Sequence, residues 1–295
     1  MNGEYQTNSK AMTSLIVVPT HRTGVAMLEN LLKSFNGFDK YPILVVICDY
    51  KKHDEKVFRS IKERFLDLPI SWEHLNTNSF ELGGLYTAYE KTDYDELLLL
   101  SHSCEIVNLD ILDLVFKEHK NKSVAFGLQT GSWKSTQGEN LDLTLKYLDA
   151  KTNSKLLELG EVQFWQAHLG KYRRAILDKI NLLEFLPTNM IEAISKSELL
   201  FTSTYQSLDP ETIVLFPSWK DGKVFEEKFG RTRLKIGNEF LIKWKTHWTT
   251  DMVFDEIRDK YLSSRVKKFL AARFPTLYST LGRIRRDAVK PTVDR

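Results

Sequence analysis

Three short apolar runs set the terms on which this chain can fold. Ser14-Leu15-Ile16-Val17-Val18-Pro19-Thr20, Pro42-Ile43-Leu44-Val45-Val46-Ile47-Cys48-Asp49 and Glu96-Leu97-Leu98-Leu99-Leu100 are too short for buried helices and show no polar alternation. Runs of that kind read as strands covered on both faces, and such strands need helices on both sides of their sheet. The sequence between them supplies helices. From Ala26 to Phe35 apolar residues recur at helical spacing, and Asn36-Gly37 ends the pattern as a helix stop. A second helix is predicted over Asp54 to Phe65, a strand over Ile70 to Leu75, and a helix over Leu82 to Glu90, opened by Gly83-Gly84. Strand and helix in alternation predict a doubly wound, mostly parallel α/β sheet, with any ligand beyond the carboxyl ends of the strands. The polar residues just past each strand are therefore the ones to weigh.

Beyond about residue 120 the pattern loosens. Val124 to Leu128 reads as a strand, Lys134 to Glu139 as a loop, Val162 to His168 as a strand leading into a helix over Tyr172 to Ile180, and Ile213 to Pro217 as a strand. Leu234 to Trp244 is expected to be helical. With 295 residues the chain is long enough for one large domain, expected over 13–255, after a disordered N-terminus at 1–12 and before a basic, amphipathic helical tail at 256–295. That tail sets Arg265, Lys267, Lys268, Arg273, Arg283, Arg285, Arg286 and Lys290 among Phe269, Leu270, Phe274, Leu277 and Leu281. It suits an anionic membrane surface, a dimerisation helix or a solvated cap.

A net charge of +3 is too small to point to nucleic acid as a partner. Cys48 and Cys104, the two cysteines, fall in or beside predicted strands, which argues against a disulfide framework and for a reducing compartment. The first dozen residues are polar, and no run reaches the ~18 apolar residues of a membrane span. These features predict a cytoplasmic protein, with the tail as a means of peripheral contact at the inner membrane surface.

The order of three segments resembles the GT-A glycosyltransferases, specifically their family 2-like branch. Val17-Val18-Pro19-Thr20-His21-Arg22 resembles that family's opening strand and nucleotide loop. Leu44-Val45-Val46-Ile47-Cys48-Asp49 resembles its second strand, whose terminal Asp hydrogen-bonds the base. Asp95 to Ile106 resembles the strand that ends in Asp-x-Asp, except that here Ser101-His102-Ser103 stands in the motif's place. More loosely, Gln166 to Leu177 is similar to the family's acceptor-side strand and double-Arg helix. The resemblance implies a GT-A fold and transfer of a sugar from a nucleotide-sugar donor, with a UDP-sugar expected, to a hydroxyl of a glycan or lipid-linked glycan in polysaccharide biosynthesis. An inverting hexosyltransferase is the expected enzyme type. It places donor contacts at Pro19, Thr20, His21, Arg22, Asp49, Ser101, His102 and Ser103, a C-terminal diphosphate contact at His247, and a general base at Glu192 or Glu198.

The residues themselves support parts of this and leave alternatives open. Two hydroxyls and an imidazole are poor ligands for hard Mg²⁺ or Mn²⁺, so no metal ligands are expected at the step. Without a cation, basic groups must compensate the leaving diphosphate, and Arg231, Arg233 and His247 are candidates for that task alongside Arg22. A solvated basic face is the alternative for each. Glu192 and Glu198 lie six residues apart in sequence, so one at most is expected to serve as base, and exposed helical glutamate is the alternative for both. Asp209 before Pro210 is a weaker candidate, since Asp-Pro also reads as a turn. Trp165, Trp219, Trp244 and Trp248 suit either a sugar-stacking wall or core packing. A GT-A-like module that binds a glycan or a protein without catalysis is the competing function.

Overall fold

The computed structural model describes residues 13–51, 54–77, 79–127, 129–132, 148–165 and 169–216, together with the strand backbone at 223–228, 231–236 and 240–245. The expected disordered segment 1–12, the loop 134–139, Trp219, His247, Trp248 and the basic tail 256–295 lie outside the described residues. So do the side chains of Arg231, Arg233 and Trp244.

A seven-stranded sheet runs in the order β10-β6-β9-β4-β1-β2-β3. Its strands are β1 (Ser14–Thr20), β2 (Ile43–Cys48), β3 (Ile70–Leu75), β4 (Glu96–Leu100), β6 (Val124–Ala125), β9 (Leu169–Arg173) and β10 (Ile213–Val214). All are parallel except β9, which runs antiparallel to both β4 and β6. The doubly wound α/β class expected from the three apolar runs is what the sheet shows.

Strand alternation sorts the core. Ile16, Val18, Ile43, Val45, Ile47, Leu98 and Leu100 share one buried cluster with Leu28, Leu31, Leu32 and Phe35 of the α1 region and Phe58 and Ile61 of α2 (Glu55–Arg64). Helix α1 (Val25–Ser34) buries Met27, Leu28, Leu31 and Leu32 as its periodicity predicts. Beyond it the chain turns at Gly37, whose φ of +74° an L side chain adopts only with strain. The opposite face of the sheet carries α3 (Phe80–Lys91), which packs on β1, β2 and β4. A Cβ at Gly84 would come within 2.7 Å of the Pro19 Cβ, so the helix lies as near to β1 as glycine permits. Each fully buried Leu or Ile contributes about 1.5–3 kcal/mol relative to exposure, which makes these two faces the main source of stability.

Past β4 the chain leaves the main sheet. After residues 101–103 it forms β5 (Cys104–Ile106), which joins an antiparallel sheet of order β11-β12-β13-β5, with β11 at Lys223–Lys228, β12 at Arg231–Ile236 and β13 at Leu241–Lys245. This corrects the expected helix over Leu234 to Trp244. The apolar residues Leu234 and Ile236, then Ile242 and Trp244, alternate with basic ones on either side of Gly237-Asn238, a hairpin pattern of period two.

A second correction concerns Tyr172, which opens no helix; it lies inside β9, and the helical turn occupies only Arg174–Leu177 (α4). What conceals β9 is Lys171, a charge in a buried strand. Its Nζ lies 2.7 Å from Glu96 Oε1 and 2.8 Å from the His119 carbonyl, and both side chains of the ion pair are buried. Glu96 also accepts from Ser14 Oγ and the Asn121 amide, so the pair is fully hydrogen-bonded at the amino end of β4. Trp165 belongs to the core: it is buried against Tyr172 and Tyr205, and its Nε1 donates to the Tyr172 hydroxyl. Asp209 is likewise buried, accepting from Ser123 Oγ at 2.6 Å beside Arg173.

Candidate functional site

The register of β1, β2 and β4 brings Pro19, Thr20 and His21, then Cys48 and Asp49, then Ser101, His102 and Ser103 to the same edge of the sheet. The chain winds outward from β1 through β2 to β3 in one direction and places β4 on the other side, so the winding reverses between β1 and β4. Ligands of open α/β sheets bind at such a reversal.

Within the step after β4, alternate residues face opposite ways. His102 turns toward the start of α1. Its amide donates to the Pro19 carbonyl at 3.3 Å and its Nδ1 is 3.1 Å from the same oxygen. A carbonyl only accepts, so Nδ1 carries the proton and Nε2 the lone pair in the neutral ring. The ring is buried and lies against Gly24, where an added Cβ would meet Cδ2 and Nε2 at 2.5 Å. His21 sits edge-on to it, with ring centroids 4.8 Å apart and planes at 86°. Thr20 ends β1 with its Oγ1 buried and without a hydrogen-bond partner among the described residues. Arg22, more than half exposed, reaches the buried Asp54 at 3.4 Å. Two imidazoles thus meet at the switch point, and the Arg22–Asp54 pair follows them.

Ser101 and Ser103 turn the other way, toward α3. Their hydroxyls are 2.9 Å apart, and Ser101 Oγ donates to Glu81 Oε1 at 3.4 Å. Glu81, in the first turn of α3, is half-buried. In sequence it looks like an ordinary acid at a helix start, and only the helix's approach to β4 brings it to the step. At the end of β2, Asp49 is exposed with φ +54° and pairs with Lys51 at 2.6 Å. Tyr50 stacks on His74 at 4.2 Å and donates to Glu55. Cys48 is an inert member of this edge: burial pushes its thiol pKa up, and Sγ donates to the Phe80 carbonyl.

The other two predicted residues have a different neighbourhood. Glu192 ends α5 (Met190–Glu192), which continues as a wider helical stretch through Ala193–Phe201. Its carboxylate accepts from the Thr188 amide and hydroxyl and from Lys196, while its own amide donates to Asn189 Oδ1. That is reciprocal capping of a helix start. Glu198 lies half-buried on the same stretch, which packs on β8 (Val162–Phe164) and on helix Ala150–Glu158.

The family that the sequence resembles implies a divalent cation on the diphosphate, and residues 101–103 themselves supply no carboxylate for one. Ser101 and Ser103 are neutral hydroxyls, and His102 spends Nδ1 on a backbone carbonyl. Among the described residues no group of three or more His, Cys, Asp and Glu is disposed to hold a metal ion, and no helix is long and apolar enough to cross a membrane.

No protein family profile matches the chain, and no curated protein matches it in sequence. Solved structures match it in outline. The structure of S. aureus TarS is 16% identical over 69% of this chain and 35% of its own, with a TM-score of 0.41. The mannosyltransferase PcManGT from Pyrobaculum calidifontis, in complex with GDP-Man and Mn²⁺, is 13% identical over 70% of this chain and 55% of its own, at 0.43. The mannosyltransferase Ktr4p from S. cerevisiae is 10% identical over 68% and 66%, at 0.41. The chain thus spans about a third and about half of the first two. At these identities and scores the likeness is one of outline alone.

Proposed function

We propose that this chain is a glycosyltransferase that binds a nucleotide sugar at the carboxyl ends of β1, β2 and β4 and passes the sugar to a hydroxyl of a glycan or lipid-linked glycan. The observation that carries the reading is the packing of His21 on His102 at the point where the winding of the sheet reverses, with Arg22 the next residue of the chain. Departure of a nucleoside diphosphate develops negative charge, and oriented donors in a largely buried site stabilise that charge more strongly than they would in water. In this reading His21 and Arg22 supply the compensation that acidic residues and a cation provide in relatives with Asp-x-Asp, and His102, held on the Pro19 carbonyl, positions the His21 ring that packs on it. Arg231, Arg233 and His247 are proposed to add to it from the C-terminal side, and Asp49 to meet the base. Glu192 or Glu198 is proposed as the general base, the Glu192 carboxylate also capping its helix.

Calorimetry with UDP and GDP, each with and without a chelator, tests the donor site. Binding that is unchanged by the chelator and weakened at least tenfold in His21→Ala supports the reading. Binding seen only with Mn²⁺ would remove its metal-free part, and absence of binding by either nucleotide would remove the donor site. Donor binding without sugar transfer or hydrolysis across a panel of nucleotide sugars would favour the non-catalytic module.

A further inference from the structure

The two faces of the step after β4 differ in chemistry. On the α1 face stand His102, His21 and Arg22, the last paired with Asp54; on the α3 face stand Ser101, Ser103 and the Glu81 carboxylate. A carboxylate repels a diphosphate, so a nucleotide in this crevice has its phosphates on the imidazole side and another part beside Glu81. Placement along the edge tells which part. Glu81 bridges the ends of β2 and β4: it follows Phe80, whose carbonyl accepts from Cys48 Sγ, and it is hydrogen-bonded to Ser101. Asp49, proposed to meet the base, follows Cys48 directly. Between a base at the end of β2 and phosphates at the end of β4 lies the sugar of the nucleoside.

Building on the donor site proposed above, we propose that Glu81 is a specificity residue that accepts hydrogen bonds from the ribose diol, so that the site selects ribonucleotides over deoxyribonucleotides. A carboxylate is suited to this because its two oxygens accept from two vicinal hydroxyls at once, and a charged acceptor makes the stronger kind of hydrogen bond. The serines hold it for that purpose. Ser101 Oγ donates to Glu81, so in the Ser101–Ser103 pair it is Ser103 that donates, and the Ser103 amide also points to Ser101 Oγ at 3.4 Å. Ser101 and Ser103 are buried and Glu81 is half-buried, so the hydroxyl pair orients the carboxylate from behind and leaves the remaining acceptor positions for a ligand. Phe80, just before it, has φ +47°, a conformation that bulky residues rarely adopt; it sets the direction in which α3 begins and thus where Glu81 stands.

The test is calorimetric titration of the full chain with whichever of UDP and GDP binds more tightly and with its 2′-deoxy counterpart, using wild type, Glu81→Gln and Glu81→Ala. The wild type is expected to prefer the ribonucleotide by about tenfold or more, the size of a lost hydrogen bond to a charged group. Glu81→Ala is expected to bring that ratio close to one by weakening the ribonucleotide alone, with Glu81→Gln between. A wild type that binds both forms equally, or a Glu81→Ala variant that weakens both in the same proportion, overturns the assignment while leaving the donor site intact. Failure of every nucleotide to bind wild type counts instead against the donor site. Deoxynucleotide affinity in the variants, compared with wild type, is also the check that they are folded.

Discussion

Replacing Gly24 by alanine tests whether the His102 ring belongs where it lies. The backbone there (φ −89°, ψ 0°) accommodates alanine, so strain at residue 24 is not the issue. The issue is space: the new Cβ would sit 2.5 Å from two ring atoms of His102, about 1 Å inside ordinary contact. The ring has little freedom to yield, being buried and tied to the Pro19 carbonyl through Nδ1. Either that hydrogen bond, worth about 0.5–1.5 kcal/mol, is lost, or the loop shifts at the roughly 1–3 kcal/mol typical of overpacking. Gly24→Ala is therefore expected to lower stability by about 1–3 kcal/mol and, because the ring moves, to weaken UDP or GDP binding about tenfold. Urea unfolding followed by tryptophan fluorescence measures the first effect, and calorimetry the second. Gly37→Ala is the control. Its φ of +74° makes alanine costly by about 1 kcal/mol, yet nothing lies within 4 Å of the added carbon and the site is remote. If Gly24→Ala unfolds at the wild-type urea concentration with wild-type affinity, the ring does not lie against Gly24. A drop in stability with nucleotide binding untouched would separate His102 from the ligand.

Two further outcomes concern stability. Lys171→Met removes one partner of the buried pair with Glu96 and is expected to cost about 3–5 kcal/mol, much of it regained when Glu96→Leu is added; chemical denaturation of the single and double variants checks this, and no recovery would refute it. Asp149 caps helix Ala150–Glu158, and its hydrogen bond from Thr152 above all holds its pKa near 2, below the ordinary 3.8. A depressed carboxylate stabilises the fold above its unfolded pKa and loses that contribution as pH falls, here between about 4 and 2. Asn is an equally good cap, so Asp149→Asn should show a flatter stability profile across that window in acid titrations followed by circular dichroism; an unchanged slope would count against the assignment.

How much of this was legible beforehand follows from what each segment buries. β1, β2 and β4 are apolar on both faces, and no other element buries that pattern so well; α1 and α2 bury one stripe each, which periodicity displays. Periodicity does not show β9, because its Lys171 is explained only by Glu96, 75 positions earlier in the chain, although the resemblance over Gln166 to Leu177 implies a strand and a helix there. β12 and β13 alternate over only a few residues each, too short a stretch to stand out from one helical segment across Leu234 to Trp244. At the site, the polar residues past each strand could be listed from the sequence, but the division of the step could not. That His102 turns to α1 and Ser101 to α3 depends on which helix covers which face. Glu81 passes unnoticed for the same reason, since a glutamate in a first turn is common enough to need no further cause.

The residues between β4 and β5 are held from both directions. On one side β4 is paired with β1 and β9, and on the other β5 is paired with β13, so backbone ladders in two different sheets fix the ends of a three-residue bridge. Such a bridge is a socket: its course is set by its neighbours at both ends, and its buried side chains are held to what the elements on either face leave room for. An acid introduced at residues 101–103 would therefore stand on a backbone already fixed from both ends, which makes this bridge the natural place to re-engineer the scaffold.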